Sequence, residues 1–356
     1  MVINDFIKKS KLSVNLDGEI YSLSEYRSNL RMLQILKQIE DKFWIIYKVV
    51  RRWAINNSIF GEIFGFLNEE IILILVYKII EENKKENSIL ILIEKMFREL
   101  IEINKANNKI IKIEEEINKN VEDWNLDIDI KRREVELGNN GFASLLSSEK
   151  TKIIWGIINL GYPQQNVAYT INYYTQIIIK EKMEIAIKQL NEIEKLENEN
   201  KIKEKLNEWV KGENFVEMYQ HNLLVICAYS PDSLGGPSLC DVIESHLTFL
   251  LIKKFETLKF IKYFHINPKA LFKRENCPKA TGIKEEDWKC TGWIIGFKIL
   301  KEEEIKENIE ELKNKIKSLK ENDFKKYIDK NGEEGKIKIG ASYLNKKNVE
   351  NFIIFI

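Results

Sequence analysis

Histidine is scarce in this chain, with three residues in 356. The four cysteines, Cys227, Cys240, Cys277 and Cys290, stand at loose separations and form no C-x-x-C pair. That argues against a zinc centre, whose ligand spacings are tighter. The thiols read instead as reduced and partly buried, as expected of an intracellular protein. Charge of one sign is also lacking, since 56 Lys and Arg balance 55 Asp and Glu. Any contact with RNA or DNA must then come from a local patch rather than a global positive field. Long apolar runs are missing. A stretch such as IILILVY at 71–77 falls far below the roughly 20 residues of a membrane span, so no membrane partner is expected. The opening MVINDFIKKS lacks the basic-then-apolar layout of a signal peptide.

Proline is nearly as rare, at five residues, and one of them sits in GYPQQN at 161–166. Pro163 fixes one backbone dihedral and biases Tyr162 toward an extended conformation. The apolar run at 153–160 can stop there, and the amides of Gln164, Gln165 and Asn166 are expected to cap or tie the helix that follows, read over 167–180. On this reading the corner carries no chemistry of its own.

What the chain has is apolar residues (44%) and charged residues (31%), enough for ordinary packed cores over two or three domains. Residues 1–120 read as helical. Phe43, Ile46, Tyr47, Val50, Trp53 and Ala54 recur at three- and four-residue steps, one buried helix face. Asn68-Glu69-Glu70 leads into a second helix, and Asn87 and Ser88 cap a third from Ile89 to about Asn104. Residues 121–150, with Gly138, Asn139, Asn140 and Gly141, read as a turn-rich connection. Residues 172–211 are again helical. After Trp209 the pattern changes. Strands are expected at 223–229, 260–266, 292–300 and 336–343, helices at 239–255 and 302–320, and a polar loop at 273–287. The fold class is therefore mainly α with a C-terminal α+β domain, a βαββαβ sandwich with helices on one sheet face.

Several strings resemble the eukaryotic-type poly(A) polymerase family, and they occur in the family's order. They are VRRWAINNSIFGEIFGFL at 50–67, IINLGYPQQN at 157–166, ENFVEMYQHNLLVICAYS at 213–230, and VIESHL, HINP and GWIIG at 242–247, 265–268 and 292–296; YSLSEYR at 21–27 is a weaker echo. The resemblance implies a central helical domain over 1–208 and an RNA-binding domain, similar to an RNA-recognition motif, over 209–356. It also implies polynucleotide adenylyltransferase activity in mRNA polyadenylation, nuclear placement, and an RNA 3′ end as partner, with 3′-end processing proteins beside it. ATP and Mg²⁺ or Mn²⁺ are implied for the complete family enzyme, and no cofactor for this chain alone.

The family's catalytic centre is a Gly-Ser helix start followed by an Asp-x-Asp strand and a third aspartate, which hold two metal ions. Here Asp127-Ile128-Asp129 is the nearest string, but no Gly-Ser precedes it. It reads as a surface loop with acids, and no catalytic or metal-binding residue is assigned. A catalytic domain encoded upstream, or on a paralogue acting in trans, would then supply the carboxylates. The alternative is a non-catalytic RNA-binding relative or partner subunit.

By the same resemblance, the nucleotide-facing positions are eroded. Arg51 stands where the family has a phosphate-reaching Lys, Phe60 where it has a Tyr, Ser24 where it has an Asn, and Ile55 where it has a second Lys. Asn68-Glu69-Glu70 replaces Gly-Gly-Val, placing two carboxylates where a triphosphate would lie. Lys336, Lys338, Lys346 and Lys347, around the last strand, are the expected RNA contacts. Phe264, Trp293 and Tyr343 are either base-stacking groups or core. His221 and His265 are expected to be structural.

Overall fold

The computed structural model describes residues 17–36, 41–103, 110–113, 124–160, 164–277, 287–300, 302–331 and 335–349. Its first part is built from helices α1 (Asp17–Leu36), α2 (Asp41–Asn56), α3 (Glu69–Glu82), α4 (Ile89–Ile103), α5 (Leu126–Asn139), α6 (Tyr173–Ile193) and α7 (Glu199–Lys211). The face of α2 read from periodicity is the one it buries: Phe43, Ile46, Val50, Trp53 and Ala54. Trp53 stacks on Trp209 of α7 with ring centroids 5.9 Å apart, and meets Phe97 of α4 at 4.6 Å. Three large aromatic rings thus join helices far apart in sequence, each ring contributing on the order of 150–250 Å² of burial.

Local chemistry sets the helix starts. The Asn68 side chain accepts from Ile71 N (2.9 Å) and begins α3. Asn172 Oδ1 accepts from the amides of Tyr174 and Thr175, while Thr175 Oγ1 accepts from Asn172 N. That reciprocal capping box starts α6 at Tyr173, so the helix does not begin at Val167 as read from the sequence. The connection expected at 121–150 also contains a full helix, α5, capped by Asn125. A short parallel pair, β1 (Ile110–Lys112) with β2 (Gly156–Ile158), completes this part.

The second part is a sheet of β3 (His221–Tyr229), β4 (Ile261–Ile266), β5 (Phe272–Asn276), β6 (Lys289–Ile299) and β7 (Ile337–Asn345). Its order is β4-β6-β3-β7, all antiparallel, with β5 also paired to β6. The fifth strand occupies the start of what the sequence suggested was a polar loop. Helix α8 (Gly236–Phe255) packs on β3, and α9 (Glu302–Ser318) packs on β7. The opposite sheet face carries a smaller apolar cluster of Leu224, Ile226, Ala228, Phe272, Trp288 and Cys290. Among the described residues no helix is long and apolar enough to cross a membrane.

Candidate functional site

Of the positions expected to face a nucleotide, Arg51, Phe60 and Glu69 come together, and Arg51 and Glu69 satisfy each other. Arg51 Nη2 donates to Glu69 Oε1 at 3.0 Å, and its guanidinium carbon lies 5.0 Å from the centre of the Phe60 ring. Ser28 Oγ donates to Glu70 Oε1 at 2.6 Å, fixing the second new carboxylate against α1. The Arg51–Glu69 pair is solvent-exposed and worth only about 0–1 kcal/mol to stability. Its consequence is local: the Arg51 cation, expected from the sequence to reach a phosphate, already faces a carboxylate. The Tyr47 hydroxyl in the same group is pushed up, chiefly by burial. Ile55 is part-exposed on the same helix. Ser24 lies on α1, and its side chain is outside the described residues.

The strings singled out in the sequence converge elsewhere, at the contact between the helical part and the sheet. His265 is fully buried, its Nε2 2.7 Å from the Ser58 carbonyl and its Nδ1 2.7 Å from the Tyr219 hydroxyl. A carbonyl can only accept, so Nε2 carries the proton and Tyr219 donates to Nδ1. Burial pushes the His265 pKa down to about 3. Phe66 and Phe215 pack on the same imidazole, with ring centroids 5.1 and 4.9 Å away.

One glycine brings the two parts into contact and a second makes room within the sheet. Gly61 sits at φ +150°, where a Cβ would lie 3.1 Å from Pro268 of HINP. A Cβ on Gly296 would lie 2.1 Å from the Tyr219 ring, so the second glycine of GWIIG is a seat for that tyrosine. Asn56 Nδ2 donates to Val210 O at 2.7 Å and ties the α2 end to the chain entering the sheet. These strings therefore build a junction between the two parts.

The GYPQQN amides do not cap α6. Asn166 Oδ1 accepts from Ile157 N and Ala168 N, and its Nδ2 donates to Trp155 O and to Asp129 Oδ2 (2.9 Å). Gln164 Oε1 accepts from Trp124 N, and residue 165 exchanges hydrogen bonds with Asn159. The amides thus tie the segment alongside β2 and hold it to α5; Tyr162 and Pro163 lie outside the described residues. Asp129 is buried on α5, and desolvation raises its pKa. Asp127, two residues earlier on the same helix, faces away from it, because positions i and i+2 of a helix do not share a face. The pair is neither a strand nor a surface loop.

The four lysines separate into two pairs. Lys336 ion-pairs with Asp232 (3.0 Å), and Lys338 lies over the Trp288 ring at 4.7 Å. Lys346 sits at the far end of β7, roughly 30 Å away at about 3.3 Å per strand residue, and its Nζ donates to Glu217 O. Lys347 follows it. Trp293 and Phe264 are core residues: Trp293 donates to Glu244, and Phe264 packs on Tyr174 at 4.8 Å. The half-buried Tyr343 bonds His221 through its hydroxyl. Among the described residues no three His, Cys, Asp or Glu side chains converge to hold a metal ion.

Sequence reasoning missed the polar face of α5, where Arg133 reaches Tyr169 O (2.6 Å) and Glu136 (2.9 Å). Its signal was the Asn125 cap with Asp129, Arg133 and Leu137 at four-residue steps. Residues 42–207 match the family model described as the poly(A) polymerase central domain.

Proposed function

We propose, on the premise that the central domain makes this a poly(A) polymerase-family protein, that the chain acts in mRNA 3′-end polyadenylation, as the part of a polynucleotide adenylyltransferase that orients and holds RNA. The match over 42–207 carries this reading. Support comes from the sheet that follows. Its βαβββαβ order, a βαββαβ arrangement with β5 added beside β6, and the packing of α8 and α9 against one face suit an RRM-like RNA-binding domain.

In this reading the carboxylates that hold Mg²⁺ or Mn²⁺ come from outside these residues, upstream or from another chain in trans. ATP meets them across the face that bears Arg51 and Phe60. RNA is held through phosphates by Lys336, Lys338, Lys346 and Lys347, because the aromatics of the outer sheet face, Phe272 and Trp288, are buried. The protein would work in the nucleus, beside other 3′-end processing proteins.

The Arg51–Glu69 pair favours a second reading, a non-catalytic RNA-binding paralogue that pairs with an active enzyme. One experiment addresses both. The purified 356-residue chain is incubated with ATP, Mg²⁺ or Mn²⁺ and an RNA primer, alone and with an added nucleotidyltransferase domain. The chain alone is expected to bind the primer without extending it, and extension is expected on adding the domain. Extension by the chain alone would refute the need for outside carboxylates, and absence of RNA binding would refute both readings.

A further inference from the structure

Between the Gly61–Phe66 turn, α5, the start of α6 and α8 lies a cavity of about 200 Å³. Glu62, Ile63, Gly65, Arg133, Thr170, Thr248 and Phe249 are among its walls. Three buried polar atoms on these walls have no hydrogen-bond partner: Arg133 Nε, Thr170 Oγ1 and Thr248 Oγ1. Arg133 and Thr248 are 7% and 6% exposed, so neither is satisfied by bulk solvent. Leaving such groups unpaired costs about 1–3 kcal/mol each, and the cavity is where a partner would sit.

Charge narrows the occupant. The Arg133 cation is already met by Glu136 Oε2 at 2.9 Å, and Glu62 adds a second carboxylate to the rim. An anion gains nothing there. The free Nε needs an acceptor, and each threonine hydroxyl takes either a donor or an acceptor. Gly65 leaves one wall flat, since at φ +80° its missing Cβ would lie 2.8 Å from Thr170 O and from Asn172 Nδ2. Phe249 supplies an aromatic wall, and the part-exposed Ile63 (46%) stands at the mouth.

We propose that this cavity between α5 and α8 is a binding site for a small uncharged nitrogen heterocycle of nucleobase size, held edge-on by Arg133 Nε, Thr170 and Thr248. The volume equals that of about seven molecules of liquid water, which is the competing occupant. The site goes beyond the proposed function and does not depend on it, because neither the lysines nor the nucleotide-facing group takes part.

The test is titration of the full chain with adenine, cytosine and uracil by calorimetry and ligand-observed NMR, with inorganic phosphate as a second probe. At least one base is expected to bind one-to-one with Kd on the order of 1 mM, typical for a ring of this size. Thr248→Val and Thr170→Val, which keep the side-chain shape, should each weaken it about tenfold. Ile63→Trp, at an exposed position, should abolish it without unfolding the chain. No binding by any base, binding unaffected by both valine variants, phosphate binding tighter than any base, or a soaked crystal showing water alone on Arg133 Nε would each overturn the proposal.

Discussion

His265 Nε2 donates to the Ser58 carbonyl across 207 residues of chain, at 2.7 Å and out of contact with solvent. Ser58 holds a left-handed φ of +58°, rare for a residue with a side chain, and that turn presents its carbonyl to the ring. The bond joins the turn after α2 to the second-last residue of β4. His265→Ala would leave the Tyr219 hydroxyl and the Ser58 carbonyl buried without their partner. Unfolding by urea should show a loss of about 3–5 kcal/mol, from two lost hydrogen bonds and a cavity. A loss below about 1 kcal/mol would mean that the junction does not depend on this ring.

The same histidine gives the fold a pH dependence. Folded, it stays neutral down to about pH 3, whereas in the unfolded chain it takes a proton near 6.5. Unfolding therefore takes up a proton at acid pH, and stability falls as pH falls through the window from 6.5 toward 3. The slope from this group approaches about 1.4 kcal/mol per pH unit. His265→Gln removes that component, so the two stability curves should converge on acidification. Parallel curves would show the ring to be protonated in the folded state.

The sequence made some of this legible. The α2 stripe, the Asn68 start and the places of four of the five sheet strands follow from periodicity and capping, which act over a few residues. Helix α5 was hidden because its buried face carries Asp129 and Arg133, charged residues whose burial depends on distant partners in Asn166 and Tyr169. The fifth strand was hidden because FKREN has no apolar alternation and is held by pairing with β6. The positions expected to face a nucleotide were legible as departures from the family's pattern. Their closure onto one another was not, since Glu69 and Arg51 meet only when α3 folds back beside α2.

Asn166 offers a direct test of the corner. Asn166→Asp places a carboxylate against buried Asp129 and removes a donor from Trp155 O. Thermal stability should drop by the equivalent of about 2–4 kcal/mol at neutral pH, and part of it should return on acidification, when one carboxyl takes a proton. Asp129→Asn keeps an acceptor for Asn166 and removes a buried charge, so its cost should stay within about 1 kcal/mol. If Asp129→Asn were as damaging as Asn166→Asp, charge repulsion would not be the cause.

Neutralising the carboxylates beside Arg51 should restore nucleotide affinity. In Glu69→Gln/Glu70→Gln, two charges that oppose a triphosphate are removed at about 1 kcal/mol each, a gain of roughly 30-fold in ATP binding. Fluorescent-ATP titration reads this directly. Folding stability should change little, because the ion pair that is lost is a surface one. Unchanged ATP affinity would show that the face no longer receives a nucleotide.

The lysine pairs can be separated by salt dependence. Each lysine that neutralises a phosphate of single-stranded RNA contributes about 0.7 to the slope of log affinity against log salt. Lys336→Ala/Lys338→Ala and Lys346→Ala/Lys347→Ala should therefore each lower that slope by about 1.4 if one strand crosses both ends of β7. The pairs are roughly 30 Å apart, so the free-energy losses should add in the quadruple variant. Filter binding at several salt concentrations measures both quantities. If only one double variant changes the slope, RNA contacts a single end of the strand, and the other pair serves the protein's own contacts, Lys336 with Asp232 or Lys346 with the Glu217 carbonyl.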